Sequence, residues 1–234
     1  MVQKGGHLRS LITSTFPSLL AVLKQLNAVS PTPPEVAELQ KLICKVFWSA
    51  SYMQLPDLVR DLEVLNDWMR CFHDILMAPV VEPPNADVEF RQSIMGWKAK
   101  KWAIKVINRF FQRFMDPKIQ KEDNVLFSTT FLNIYSVQML HLFLQILDTV
   151  PSGGFLPDHI VKLLLAYVTS AIGKALTYKE LKPHLPKVMF QICFNLMCYN
   201  DRDEMSWQED PHEYIRKNYD IIEDMYSPRT AAIN

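Results

Sequence analysis

Residues 34–50 read PEVAELQKLICKVFWSA, and the spacing of their apolar side chains is the main clue to the fold. Apolar residues recur at intervals of three and four positions: Val36, Leu39, Ile43, Val46 and Ala50. Charged residues stand between them: Glu35, Glu38, Lys41 and Lys45. Because an α-helix has 3.6 residues per turn, this spacing gathers the apolar side chains on one face. The stretch therefore predicts an amphipathic α-helix with its charged side chains turned outward.

The same spacing recurs along most of the chain and predicts a succession of helices. Besides the helix read from Val36 to Ala50, the expected helices cover residues 8–26, 58–76, 96–115, 125–149, 157–177, 181–199 and 211–225. Asp210 is expected to cap the last of these, with Pro211 at its first position. The connections contain proline rather than the turn residues of β-hairpins, so no strand ladder is predicted.

The order of these helices predicts a repeated hairpin. Long helices joined by proline-bearing loops pair antiparallel, and a two-helix unit of roughly 40–47 residues is the period of HEAT and armadillo repeats. The expected fold class is all-α, an α-α superhelix of the HEAT or armadillo-like solenoid type. An orthogonal bundle with a closed core is the alternative, although no segment has the pattern of a central helix buried on every side.

The composition argues against several other classes of protein. Six glycines accompany 15 prolines, a balance unlike all-β folds or nucleotide-binding α/β folds, which need glycine in tight turns. The 25 basic and 25 acidic residues cancel, so net charge indicates no partner. Polar residues interrupt the N-terminal apolar segment and the stretch 131–147, so neither a secretory signal nor a membrane span is predicted. A soluble intracellular protein with reduced cysteines is expected.

No sequence pattern indicates catalysis. The chain lacks the Gly-x-Ser-x-Gly nucleophile elbow, the phosphate-binding glycine loops and the spaced oxygen ligands of calcium loops. The four cysteines are scattered and lack the spacing of a zinc site. We therefore expect no enzyme activity, no catalytic residue, no metal and no cofactor.

One of two charged runs is acidic. Residues 201–224 hold nine carboxylates against three basic side chains, and they include Trp207. A negative loop that bears a tryptophan could attract a basic partner. The predicted contact residues are Asp201, Asp203, Glu204, Trp207, Glu209, Asp210 and Glu213. The alternative is a polar surface loop in which Asp210 only caps a helix.

The second charged run is basic. Residues 91–121 hold nine basic side chains against Asp116 alone. On a helix, five of them form a stripe opposite an apolar packing face: Lys98, Lys101, Lys105, Arg109 and Arg113. This basic stripe could contact an acidic partner or nucleic acid, or it could be an ordinary solvated helix face. Nucleic acid is the weaker possibility, because no aromatic platform for bases interleaves the stripe.

Three segments carry a resemblance to a known family. They read WKAKKWA at 97–103, LTYKELKPH at 176–184, and LMCY at 196–199 continued by WQEDPHEYIR at 207–216 and EDMYSPRTAA at 223–232. Together they resemble the importin-β superfamily of nuclear transport receptors (karyopherins), of the importin seven and importin eight type with their plant relatives. The resemblance covers the chain from about residue 10 to its end. Such receptors are several times longer, so the chain resembles an internal fragment.

The resemblance implies a right-handed superhelix of HEAT repeats, with outer A helices on the convex face and inner B helices on the concave face. Residues 1–200 would form the repeat array, with one trailing inner helix followed by A/B pairs at 34–78, 96–149 and 157–199. Residues 201–234 would form an acidic insertion with a short helix leading to the next repeat.

The resemblance also implies a function in nuclear protein import. Such a receptor binds cargo and the Ran GTPase, and passes the nuclear pore by contacting the Phe-Gly repeats of nucleoporins in grooves between outer helices. The protein would occur in cytoplasm and nucleus, and at the nuclear envelope in transit. Related receptors use the insertion region for Ran or cargo. Two alternatives are an exportin that recycles importin α, which the EDPHEYIR element also resembles, and a generic HEAT scaffold or regulatory subunit.

Overall fold

Helices form all the regular secondary structure in residues 3–218 and 227–233, the part of the chain that the computed structural model describes. Side chains are described in that part except at positions 3–6, 8, 202, 217 and 218. The helices are α1 (Gln3–Asn27), α2 (Pro34–Ala50), α3 (Leu62–Met77), α4 (Val88–Ser93), α5 (Met95–Arg109), α6 (Glu122–Thr130), α7 (Ser136–Leu147), α8 (Asp158–Ile172), α9 (Ala175–Leu181), α10 (Leu185–Lys187), α11 (Phe194–Met197), α12 (Asp201–Glu209), α13 (Pro211–Asn218) and α14 (Pro228–Ile233). The predicted all-α class is confirmed.

The chain divides into two compact units, residues 1–139 and 140–234. The first contains α1 to α6 and the start of α7, and the second contains the remaining helices.

Aromatic rings hold the first unit together. Phe47 of α2 packs against Phe16 of α1 and Trp68 of α3, with ring centres 5.4 and 4.6 Å apart. Phe110, just after α5, packs edge-on against Phe47 at 5.7 Å. All four side chains are fully buried, and each aromatic pair adds about 0.5–1.5 kcal/mol beyond the area it buries. Phe47 therefore links helices that are distant in the sequence.

Helix α2 begins two residues before Val36, the first residue of the predicted pattern, and its core face differs from the predicted one. Leu39 and Val46 are 48% and 47% exposed. The buried residues are Ala37, Gln40, Ile43, Cys44 and Phe47. Gln40 can be buried because its Nε2 donates to Asn27 Oδ1 at 2.9 Å. Since apolar residues surround most of this helix, their spacing could not tell which side would meet α1, α3 and α5.

Helix α3 begins four residues later than the predicted helix at 58–76. Residues Asp57–Arg60 form a 3₁₀ turn. Asp61 then caps α3, because its side-chain oxygen accepts from the backbone N–H groups of Glu63 and Val64 at 2.8 and 3.2 Å. An aspartate at this position satisfies N–H groups that have no partner inside the helix.

Residues Glu122–Leu147 form a continuous helical run through α6, a wider π-helical turn at Phe131–Tyr135, and α7. By length and composition this run could cross a membrane, contrary to the prediction of no span. Half of the most apolar 18-residue stretch of this run is buried inside the protein, as is usual for a core helix. Phe127 and Phe131, for example, pack against Phe110 at 5.2 and 5.7 Å. The helix pair Asp158–Ile172 and Ala175–Met197 passes the same test only if it counts as one span, and it is bent by 118°.

In the second unit, the predicted helices at 157–177 and 181–199 have a different boundary. Helix α8 ends at Ile172, and the next helical run begins at Ala175. That run continues to Met197 through 3₁₀ and π-helical turns, with Pro183 and Pro186 each in the first turn of a short segment. A proline is tolerated in a first turn because the N–H group that it lacks would have no acceptor within the segment. Phe143 of α7 packs edge-on against the buried Tyr167 of α8 at 4.9 Å.

Candidate functional site

Helix α5 and the π-helical turn Phe110–Phe114 that follows it carry the predicted basic stripe, at unequal depths. Lys98, Lys101 and Lys105 are half-buried, and Arg113 is exposed. Arg109 is 8% exposed, so it is not an outward contact residue. The stripe therefore separates into outward-facing cations and a buried guanidinium.

The arginines of the stripe bind the C-terminal end of α2. Arg109 Nη1 donates to the carbonyl of Trp48, and Arg113 Nη1 donates to the carbonyl of Tyr52. Carbonyls in the last turn of a helix lack partners within the helix and carry its partial negative charge, which favours cations. Burial, followed by the neighbouring Arg113, lowers the pKa of Arg109 below its ordinary value.

Aromatic side chains lie under the cations. The guanidinium carbon of Arg109 is 3.7 Å from the centre of the Trp48 ring, and Lys105 Nζ is 4.5 Å from that of Trp102. The two tryptophans meet edge-on at 5.4 Å. Aromatic rings do interleave the stripe, because Trp48 of α2 and Tyr52 just after α2 lie against it, but cations of the protein itself occupy these rings. Since Trp48 lies near Trp102 and Tyr52 near Arg113, α2 and α5 run in the same direction.

A cavity of about 180 Å³ opens near the N-terminal ends of the same two helices. Its walls are mostly apolar and include Ala37 of α2, Ile75 of α3 and Ala99 of α5. Lys100 lines one side and donates from Nζ to the carbonyl of Leu76 at 2.5 Å. Burial lowers the pKa of Lys100 to about 8. The cavity can accept one apolar side chain.

In the second unit, the predicted acidic loop is helical. Residues 201–209 form α12, and α13 follows after Asp210. The side chains of Asn200 and Asp203 each accept from the other's backbone N–H, at 3.2 and 3.0 Å. This reciprocal capping starts a helix where apolar periodicity is absent. The predicted cap of α13 is confirmed, because Asp210 Oδ1 accepts from His212 N and Glu213 N, both at 3.0 Å. The rest of the predicted helix at 211–225 lies largely outside the described residues.

Asp203 anchors α12 instead of facing outward. Arg229 of α14 donates to both carboxylate oxygens of Asp203, at 3.2 and 2.5 Å. Arg229 also donates to the carbonyls of Leu196 and Cys198 at 3.1 and 2.9 Å. Burial alone would raise the pKa of Asp203, but the hydrogen bonds from Arg229 and Asn200 outweigh it and hold this pKa below its usual range. With its side chain 12% exposed, Asp203 has a structural role.

Trp207 has a partner within the protein. Its ring meets Tyr214 of α13 edge-on at 5.7 Å, and Tyr199 lies 6.3 Å from Tyr214. The Tyr199 hydroxyl donates to Glu204 Oε2 at 2.9 Å. Desolvation and this hydrogen bond raise the pKa of Tyr199 to about 12. Trp207 is still 43% exposed, so the aromatic cluster leaves part of one ring open to a partner.

The remaining predicted carboxylates differ in what they already bind. Glu204 accepts from Gln208 at 2.6 Å, and Glu213 pairs with Arg216 at 2.6 Å. Asp201 and Glu209 are exposed, and neither has a hydrogen bond or an ion pair to another described residue. Within residues 3–218 and 227–233, no three His, Cys, Asp or Glu side chains lie close enough together to hold a metal ion. Asp201 and Glu209 are therefore the carboxylates most open to a partner.

The comparison with curated proteins agrees with the sequence motifs. An importin beta-like SAD2 homolog of Arabidopsis thaliana is 46% identical over 225 residues, 96% of this chain. The chain is a relative of importin-β-type receptors. Importin-8 of Mus musculus is 35% identical over 197 residues, or 83% of the chain. A probable importin-7 homolog of Dictyostelium discoideum is 28% identical over 241 residues, or 99% of the chain.

The match to these importins covers only part of each of them. The chain spans 22% of the Arabidopsis protein, 19% of the mouse protein and 22% of the Dictyostelium protein. No protein-family model matches the chain, and no solved structure does. The predicted resemblance to importin-β-like receptors of the importin seven and eight type is confirmed.

Proposed function

We propose that this chain is a segment of a nuclear import receptor regulated by the Ran GTPase, and that α12 and α13 contact Ran or a basic cargo protein. The similarity to importins over nearly the whole chain carries this proposal. In this reading, residues 1–200 are HEAT repeats paired at 34–78, 96–149 and 157–199, and residues 201–234 are an insertion between repeats. Receptors of this kind work by binding alone and pass between cytoplasm and nucleus.

The geometry of α12 and α13 supports a basic partner. Asp201 and Glu209 are exposed on α12, and Trp207 of the same helix is 43% exposed. Exposed carboxylates attract a lysine or arginine by charge, and an exposed aromatic ring is a further contact point for a cation. Because Arg229 fixes α12 through Asp203, these groups would meet a partner in a set geometry. Fixed groups lose less conformational entropy on binding.

A charge reversal tests this contact. The chain carrying Asp201→Lys and Glu209→Lys should bind a basic cargo protein or Ran about tenfold more weakly in a titration at low salt. Raising the salt concentration should lower the affinity of the unchanged chain for its basic partner more than the affinity of the variant. The matched control carries Glu63→Lys and Glu89→Lys, two exposed carboxylates of the first unit, and should bind as the unchanged chain does. Equal loss in both variants would rule out a contact at α12.

Nucleotide state separates the importer from its alternatives. If the chain is part of an importer, Ran loaded with GTP should release basic cargo from the receptor, whereas Ran loaded with GDP should not. Cargo binding that strengthens with GTP-loaded Ran would instead indicate an exportin of the importin-α-recycling type. A generic HEAT scaffold or regulatory subunit would respond to neither form.

The cavity between α2 and α5 supports a second contact, with the Phe-Gly repeats of nucleoporins. Its apolar walls and its volume of about 180 Å³ fit a phenylalanine side chain. Ala99→Leu would extend a side chain into the cavity, so a Phe-Gly peptide should lose most of its affinity in a calorimetric titration. Ala28→Leu, the same change at an exposed position outside the cavity, should leave the affinity unchanged. Retention of binding by Ala99→Leu would place the nucleoporin contact elsewhere.

A further inference from the structure

The outer side of α2 and α5 presents cations that the proposed import function does not use. We call Lys45, Lys98, Lys101 and Lys105 the lysine surface. Lys45 comes from α2 and the other three from α5, and Trp102 lies between them. The surface is therefore built by two neighbouring helices of the first unit.

Three of these lysines have no acidic partner among the described residues. Within residues 3–218 and 227–233, no carboxylate lies in ion-pair range of Lys45, Lys98 or Lys101. The acid beside them on α2, Glu38, pairs with Lys41 at 2.7 Å. Other cations of the same unit do have acidic partners, as in the pairs Lys24–Asp67, Arg60–Asp57 and Arg91–Glu82. Charge is thus left uncompensated at the lysine surface and not throughout the unit.

The aromatic rings beneath the surface hold part of it in place. Lys45 Nζ and Lys105 Nζ lie 5.7 and 4.5 Å from the centre of the Trp102 ring. Each such contact is worth about 0.5–1 kcal/mol at an exposed site. Burial, followed by the charge of Lys98, lowers the pKa of Lys101, as expected where like charges gather. An anion placed here would meet partly fixed cations and relieve their repulsion.

The geometry favours carboxylates over a nucleic acid. Arg109 and Arg113 turn their guanidinium groups onto α2 carbonyls, which removes the two-pronged donors best suited to phosphates. Trp48 and Trp102 each hold a cation of this protein over a ring face, so those faces cannot stack on bases. Lysine ammonium groups, by contrast, act as point charges that single carboxylates can pair with.

The spacing of the lysines suggests how a partner would lie. Lys98, Lys101 and Lys105 are three and four residues apart, or about 4.5–6 Å along the helix axis. An extended chain places alternate side chains about 6–7 Å apart on one side. We propose that the lysine surface docks an extended acidic polypeptide segment, with Asp or Glu at alternate positions, from a partner protein.

The test uses a labelled 12-residue peptide of alternating Glu and Ser, titrated by fluorescence anisotropy against the 234-residue chain. The chain carrying Lys45→Gln, Lys98→Gln and Lys101→Gln should bind about tenfold more weakly, since three exposed ion pairs are lost. A control chain carrying Lys118→Gln, Lys121→Gln and Lys179→Gln loses the same charge at other exposed positions and should stay within about twofold of the unchanged chain. Added salt should lower the peptide affinity of the unchanged chain more than that of the first variant.

Three results would overturn the proposal. Equal losses in the two triple variants would show that only net charge matters. Equal binding of a Gln-Ser peptide would show that carboxylates are not recognised. Tighter binding of a 12-nucleotide oligouridine, lost in the same triple variant, would assign the surface to nucleic acid. Circular dichroism and urea unfolding check that both variants fold. If the triple variant does not fold, Lys45→Gln alone serves as the test, with an expected loss of peptide affinity of about twofold.

Discussion

The basic helix α5 and the acidic helix α12 both carry dense charge, but their neighbours leave different charges available. On α5, Arg109 is buried against the Trp48 carbonyl of α2, whereas Lys98, Lys101 and Lys105 remain partly exposed. On α12, Arg229 draws in Asp203, while Asp201 and Glu209 stay outside. In each helix the charge nearest an unsatisfied group of a neighbour becomes structural. The number of charges in a run therefore overstates how many can meet a partner.

Removing the anchor of α12 should have the largest effect. Arg229→Ala deletes the hydrogen bonds to Leu196, Cys198 and Asp203 and leaves a partly buried carboxylate without its partner. We expect the free energy of unfolding in urea to fall by about 2–3 kcal/mol. Arg216→Ala removes an exposed arginine paired with Glu213 and should cost no more than about 0.5 kcal/mol. Similar costs for the two changes would mean that Asp203 is no more structural than Glu213.

Removing the buried cation of α5 should have the next largest effect. Arg109→Met keeps an apolar stem but loses the bond to the Trp48 carbonyl and the stacking on its ring. The expected loss in unfolding free energy is about 1–2 kcal/mol. Arg109→Lys should recover only part of it, because an ammonium group cannot lie flat on the ring. As a control, Lys98→Met on the outer side of the same helix should be nearly neutral. If Arg109→Met leaves the unfolding free energy unchanged, Arg109 is not an anchor and remains a candidate contact residue of the stripe.

The pH dependence of stability separates the anchoring carboxylate from the outward ones. The pKa of Asp203 is lower in the native protein than its unfolded value of about 3.9. Its ionised form therefore stabilises the protein above about pH 4, and this contribution is lost as pH falls through the native pKa. Asp203→Asn should cost about 1 kcal/mol at pH 7 and progressively less below pH 4. Urea unfolding at pH 7, 5, 4 and 3 measures this difference, and a constant gap would contradict it.

The outward carboxylates should have the smallest effect on stability. Asp201→Lys with Glu209→Lys changes exposed side chains, so the unfolding free energy should move by less than about 0.5 kcal/mol. The same protein sample should still lose affinity for its basic partner. A large loss of stability would mean that these residues support α12 in the way Asp203 does.

The succession of helices was predictable because apolar spacing is a local property of the sequence. The cap Asp210 and the first helical position of Pro211 were also predictable, since a cap acts within three residues of its own position. The break between α8 and α9 was predicted several residues too late, because the residues on both sides of Gly173 continue the helical spacing. Helix α12 was missed for the opposite reason, since reciprocal side-chain caps start it without an apolar face.

The candidate surfaces were predictable as segments but not residue by residue. Both charged runs were identified, yet Arg109 and Asp203 were assigned to outward contacts. Their true partners, the Trp48 carbonyl and Arg229, lie 61 and 26 residues away in the sequence. Residue spacing within one helix carries no information about groups so distant.

The sequence by itself determined that this chain is a series of amphipathic helices with a basic and an acidic run, and its motifs related it to importin-β-like receptors. Helical periodicity and short motifs suffice for that, because they depend on neighbours within one or two turns. Only the tertiary structure decided which face of α2 is buried, which charges are anchored, and which lysines and carboxylates remain available. Those choices depend on where distant helices place their unpaired carbonyls and aromatic rings, because a buried polar group must find a partner wherever the fold provides one.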